Sequence, residues 1–149
     1  MAREFRFPVG VAWDGGRRTT ATVEGKQPLD IATPPEFKGT DPDLWSPEDA
    51  FVAAAASCLA VTIAAKAEHA EVPLLDLDVN AVGVVGKRED GKFGFVRIEQ
   101  TVDAATEPGH EDALREVVAS AEAGCLVTVS LALPVETTVK VATPTVTGS

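Results

Sequence analysis

The sequence predicts an α+β domain, with antiparallel sheets wrapped around a long buried helix. Three observations lead there. Residues 5–31 are rich in β-formers and broken by Gly15-Gly16 and by Gly25. Residues 46–69 then form a long helical run with no polar face. Behind it, two alternating strand patterns stand on either side of a second helix. The order strands, long helix, hairpin, helix, strand is that of an α+β fold. With 149 residues and 45% apolar content, the chain is expected to be a single domain over 1–149 with a real core.

Taken in order, residues 5–31 are expected to make two or three short antiparallel strands, with Gly15-Gly16 in a turn. Residues 33–42, Thr-Pro-Pro-Glu-Phe-Lys-Gly-Thr-Asp-Pro, read as a long loop, and long loops in compact domains are usually functional or mobile. Ser46-Pro47-Glu48-Asp49 is a strong helix start: Ser46 caps, Pro47 suits the first position, and the acids favour the positive end. The helix runs to about His69, and Pro73 prevents its continuation. Phe51, Ala54, Ala55, Cys58 and Thr62 lie on one side and Val52, Leu59 and Ile63 on another, so burial is expected all round. One small domain supplies such cover poorly, and a partner subunit is the economical answer.

Leu75, Leu77, Val79 and Ala81 alternate with Asp76, Asp78 and Asn80, which marks a half-exposed strand. Asp90-Gly91 is a hairpin turn, and residues 93–102 pair back. Phe93 and Phe95 are out of step with Val96, Ile98 and Val102, a parity change that predicts a bulge or twist. Residues 109–123 form the second helix, with Leu114, Val117, Val118 and Ala121 on one stripe and Gly124 at the position after its end. Leu131, Leu133, Val135, Thr137, Val139 and Val141 alternate as a final strand, and residues 143–149 are expected to fray.

The net charge of −10 argues against a nucleic-acid partner, which needs clustered Lys and Arg. The start, Met-Ala-Arg-Glu-Phe-Arg, places charges where a signal peptide needs an apolar run. The uncharged run 50–65 is shorter than the roughly 20 residues of a membrane span. A cytoplasmic protein with no membrane partner is expected. Its two cysteines, Cys58 and Cys125, are too few for a disulfide scaffold in a chain of this length. They are either small buried hydrophobes, where most free cysteines reside, or a redox pair. Cys125 follows a glycine at a helix exit, where the backbone can move. No metal site and no cofactor are expected, because His69 and His110 are the only histidines and no CxxC or HExxH occurs. Arg17 and Arg18 read as turn residues, and Glu48 as a carboxylate favoured by the helix dipole.

Residues 46–60, Ser-Pro-Glu-Asp-Ala-Phe-Val-Ala-Ala-Ala-Ala-Ser-Cys-Leu-Ala, resemble the helix signature of the OsmC/Ohr family of peroxide-reducing proteins. Residues 121–125, Ala-Glu-Ala-Gly-Cys, resemble its second-cysteine motif, and Gly15-Gly16-Arg17 resembles the Gly-Gly-Arg of the organic-hydroperoxide-resistance branch. Leu126 stands where the family often has Pro, and the chain has no tyrosine. The resemblance implies an OsmC-like fold, an intertwined homodimer with long buried central helices and sites at the subunit interface. It implies a peroxiredoxin-like thiol peroxidase for organic hydroperoxides, with Cys58 peroxidatic and Cys125 resolving through a Cys58–Cys125 disulfide. Arg17 (or Arg18) and Glu48 would activate the thiolate, and a dithiol reductant, a lipoylated protein in the Ohr branch, would restore the thiols. Phe37, Leu44, Trp45 and Phe51 are candidates for an apolar substrate lining. The alternative is a non-catalytic dimer of the same fold that binds an apolar small molecule at the subunit interface; an acidic partner-binding module has only the charge in its favour.

An apolar setting raises a thiol above its free pKa of about 8.5, so Cys58 needs a cation beside it. Glu48 and Cys58 lie about 15 Å apart along one helix, too far to meet directly. Either Arg17 bridges that distance, or Glu48 serves the partner subunit's Cys58; the second is favoured and would make the dimer a requirement.

Overall fold

The computed structural model describes residues 3–144. The chain divides into two compact units, Met1–Ala50 and Phe51–Ser149. Of the tail expected to fray, Thr143 and Pro144 are irregular and residues 145–149 lie outside the described residues.

The first unit is a three-stranded antiparallel sheet, β1 (Gly10–Gly15), β2 (Arg18–Thr22) and β3 (Leu29–Ala32), in the order β1-β2-β3. The expected Gly15-Gly16 turn joins β1 to β2; both glycines have positive φ (100° and 55°), a conformation that a Cβ disfavours. A register shift between Trp13 and Gly15 twists the hairpin end. The loop that follows is tighter than its prolines suggest. Pro35–Phe37 forms a 3-10 turn, Lys38 adopts a left-handed φ of 67°, and the Gly39 amide donates to the Pro34 carbonyl at 3.0 Å. The Ala32 amide then donates to the Trp45 carbonyl at 2.8 Å, which ties the loop's end to β3.

Helix α1 (Pro47–His69) begins as the sequence predicts. The Asp49 amide donates to Ser46 Oγ at 3.0 Å and the Ser46 amide donates to Asp49 Oδ2 at 2.9 Å, a reciprocal capping box closed by Asp rather than Glu. α1 is long and apolar enough to cross a membrane by length and composition alone. Within one chain it is not buried on all sides. Only the stripe Ala55, Leu59, Ile63 and Ala67 is buried, while Val61 is 66% exposed.

In the second unit Leu59, Ile63 and Ala67 of that stripe pack into a core with Val102, Ala104, Leu114, Val117, Val118, Ala121 and Cys125. The sheet there has the order β4-β5-β6: β4 (Asp76–Lys87), β5 (Phe93–Ala105) and β6 (Val135–Ala142). β4 and β5 form the expected antiparallel hairpin around the Asp90-Gly91 turn, with Gly91 at φ 83°. The predicted bulge is present: Val84 pairs with Arg97 and Val85 with Phe95, which leaves Val96 as the extra residue. The expectation of purely antiparallel sheet fails at β6, which runs parallel to β5. The reason is the connection, because α2 (Glu111–Gly124) and α3 (Leu126–Val129) carry the chain back to the other end of the sheet, as a parallel crossover requires. The final strand is also shorter than its alternation suggests. Leu131 and Leu133 lie outside β6, and α3 and the bend after it occupy the segment. Gly124 is the last residue of α2 rather than the position beyond it, and Cys125 is the cap, with extended backbone at φ −66° and ψ 115°.

Candidate functional site

The amphipathic stripe of α2, Leu114, Val117, Val118 and Ala121, has the helical spacing that places Cys125 next in line toward the core. Cys125 is fully buried there. Its extended backbone ends α2 and starts α3, whose first turn is closed by the Val129 amide donating to the Cys125 carbonyl at 3.0 Å. Cys58 sits mid-way along α1, half-buried beside the stripe of that helix, and packs against the core cluster that contains Cys125. The Thr62 hydroxyl donates to the Cys58 carbonyl at 2.6 Å. Both thiols are free.

The Cys125 sulfur has a mixed setting. Burial pushes its pKa up, but the Thr128 hydroxyl and amide, the Cys58 side chain and the Val127 amide together outweigh burial and bring it below the ordinary thiol value. The thiol does not close a regular side-chain cap on α3, so these donors act on the sulfur as neighbours that a thiolate would engage more fully. Cys58 thus packs against the core that encloses Cys125, and its side chain is one of the neighbours that lower the Cys125 pKa.

The first unit holds the other candidates. The Arg17 Nη1 donates to the carbonyls of Phe37 (3.1 Å) and Lys38 (2.6 Å), so the guanidinium grips the 3-10 turn. The Thr33 amide donates to the Arg17 carbonyl at 3.1 Å, fixing the backbone as well. Arg18 instead pairs with Asp41 at 3.7 Å. Glu48, at the second position of α1, is half-buried; its Oε2 is buried and has no hydrogen-bond partner. Among the described residues, no ion pair joins Glu48 to Arg17. Phe37 and Trp45 are exposed and Leu44 is half-buried. Phe51, in the second unit, stacks on Phe95 with ring centroids 4.6 Å apart.

Sequence reasoning missed Thr128 and Val127, whose polar groups surround the Cys125 sulfur, because α3 has no signature beyond four residues of β-forming type. It also missed Gln100. This residue breaks the inward row Ile98, Gln100, Val102 of β5 and is 3% exposed. A polar residue at a core parity position was the available signal.

The geometry can be set beside known proteins. An OsmC-like protein of unknown function from Vibrio cholerae has the same fold, with a TM-score of 0.84 at 19% identity over 92% of this chain and 100% of that one. An organic hydroperoxide resistance protein from Elizabethkingia anophelis matches with a TM-score of 0.74 at 19% identity, covering 97% and 100% of the two chains. The organic hydroperoxide resistance protein of Bacillus subtilis matches at 0.62 with 23% identity, covering 92% and 98%. No curated protein matches in sequence. The family model for OsmC-like protein matches residues 39–140, a span that holds Glu48, Cys58 and Cys125, and the chain belongs to that family.

Proposed function

We propose that the protein is a cytoplasmic, homodimeric thiol peroxidase that reduces organic hydroperoxides. The observation that carries this reading is the pair of free thiols, Cys58 and Cys125, brought to one core cluster of the second unit. Membership of the OsmC-like family supports it, as do the names of similar structures that are organic hydroperoxide resistance proteins. The half-buried Cys58 attacks first. Its thiolate takes the distal oxygen of the hydroperoxide, the O–O bond breaks, and the alkoxide leaves as alcohol after taking a proton. Cys58 is then a sulfenic acid. The Cys125 thiolate attacks that sulfur and expels hydroxide, which leaves as water. The resulting disulfide is returned to two thiols by an external dithiol, which is itself oxidised to a disulfide. The lowering of the Cys125 pKa by its hydrogen-bond neighbours suits this second step, because the thiolate is the attacking form.

The dimer reading rests on surfaces that one chain leaves bare. Ala54, Ser57, Val61, Ala64 and Ala65 form an exposed, small-residue face of α1, and β1 exposes Val11 and Trp13. A second copy would cover α1 and let the unpaired Glu48 carboxylate serve the partner subunit's Cys58, with Arg17 as the cation between them.

The test is to mix reduced protein with cumene hydroperoxide and count thiols and sulfenic acid. Rapid loss of both thiols is expected in the native chain. Cys125→Ser should trap sulfenic acid at Cys58, and Cys58→Ser should abolish reaction. An unreactive Cys58 would sink the peroxidase and favour a non-catalytic dimer that binds an apolar molecule.

A further inference from the structure

A cavity of about 340 Å³ lies in the second unit, lined in part by Leu59, Gln100, Glu122, Thr128, Val135 and Thr137. Its volume is at the small end of ligand pockets. Gln100 occupies an inward position of β5 and is 3% exposed, and its Oε1 is buried without a hydrogen-bond partner among the described residues. A buried acceptor left unmade is more costly than a made bond is favourable, so such an atom in a native core calls for a donor. Among the described residues no hydrogen bond joins it to the other polar groups of the wall. Glu122 is a carboxylate that makes none of the ion pairs found among the described residues. The Thr128 hydroxyl already leans on the Cys125 carbonyl at 3.4 Å.

We propose that this cavity binds a small primary ammonium ion carrying a short alkyl chain. An ammonium group has three N–H donors and no acceptor. Its donors suit the acceptors that line the cavity: Gln100 Oε1, the Glu122 carboxylate and the Thr137 hydroxyl. Leu59 and Val135 supply apolar wall for the chain. Burial raises the Glu122 carboxyl pKa, and a bound cation offsets that desolvation. The net charge of −10 concentrates cations near the surface. The site touches the thiol pair through Thr128 but does not depend on any reaction of those thiols.

Titrating n-butylammonium chloride into the reduced, full-length protein by calorimetry at constant ionic strength tests the assignment, with n-butanol and sodium butyrate as comparisons. Saturable binding of the ammonium alone is expected, weakened at least tenfold by Glu122→Gln and by Gln100→Leu. Glu122 is only partly buried on α2, so Glu122→Gln keeps the test valid should Gln100→Leu fail to fold. Absence of saturable binding, equal binding of butyrate or butanol, or binding untouched by Glu122→Gln would overturn the proposal. Because the readout is binding to reduced protein, it stands or falls separately from peroxidase activity.

Discussion

Arg17 and Arg18 are adjacent yet differently employed. Arg17 holds the carbonyls of Phe37 and Lys38, whereas Arg18 makes a largely exposed ion pair with Asp41, of the kind worth little. If Arg17 is the cation that serves Cys58, as the proposed function has it, Arg17→Ala should slow Cys58 oxidation by about tenfold or more, and Arg18→Ala far less; stopped-flow oxidation by cumene hydroperoxide reads the ratio, and the reverse order would reassign the arginine. Cys125 makes a second case. Its pKa is lowered in the folded chain, so the unfolded chain binds more protons in the window between the folded and ordinary thiol values. Stability from this group is complete above the ordinary value and is lost as pH falls through the folded one. Thr128→Val removes a hydroxyl that favours the thiolate, so the ultraviolet thiolate titration of Cys125 in a Cys58→Ser background should move to higher pH. The flanking motifs singled out the two cysteines as a candidate pair, and the structure packs Cys58 against the cluster that holds Cys125. Thr128 could not, because its importance comes from a four-residue helix that only tertiary packing sustains.

Among the elements, the loop over residues 33–42 shows how backbone geometry sets a side chain. A Cβ at Gly39 would stand 1.7 Å from the Thr33 carbonyl oxygen. Gly39→Ala must therefore open the turn that presents the Phe37 and Lys38 carbonyls to Arg17. A loss of about 1–3 kcal/mol is expected in urea unfolding. Trp13 and Trp45 are the two tryptophans of the chain and both lie in the first unit, so their fluorescence reports on this region. The helix start at Ser46 and the Val96 bulge were legible because each rests on neighbours in sequence: a capping pair three residues apart and a change of parity. The parallel direction of β6 was not, since alternation is the same in either direction and only the crossover decides it.

At the scale of the whole molecule, α1 joins residues of both units, yet its outward face is bare in one chain. If a second copy covers that face, Val61→Asp places a carboxylate in an apolar contact and should weaken association at least about a hundredfold. Sedimentation across a dilution series reads it; a Val61→Asp protein that remains dimeric would move the interface elsewhere. Peroxide reduction should fall with dissociation if Glu48 serves across subunits. The composition of α1 predicts cover on every side, whereas one chain buries only a single stripe. The parallel pairing of β6 has a further consequence, for the time course of folding. β4 and β5 can zip from their own turn, but β6 must wait until α2 and α3 have brought the chain back across the core, since distant contacts form only after loop closure. Cys125 lies within that returning segment. The last strand to join the sheet therefore docks only as this thiol is being enclosed, so a nascent chain keeps its Cys125 open to stray oxidants until β6 has been made.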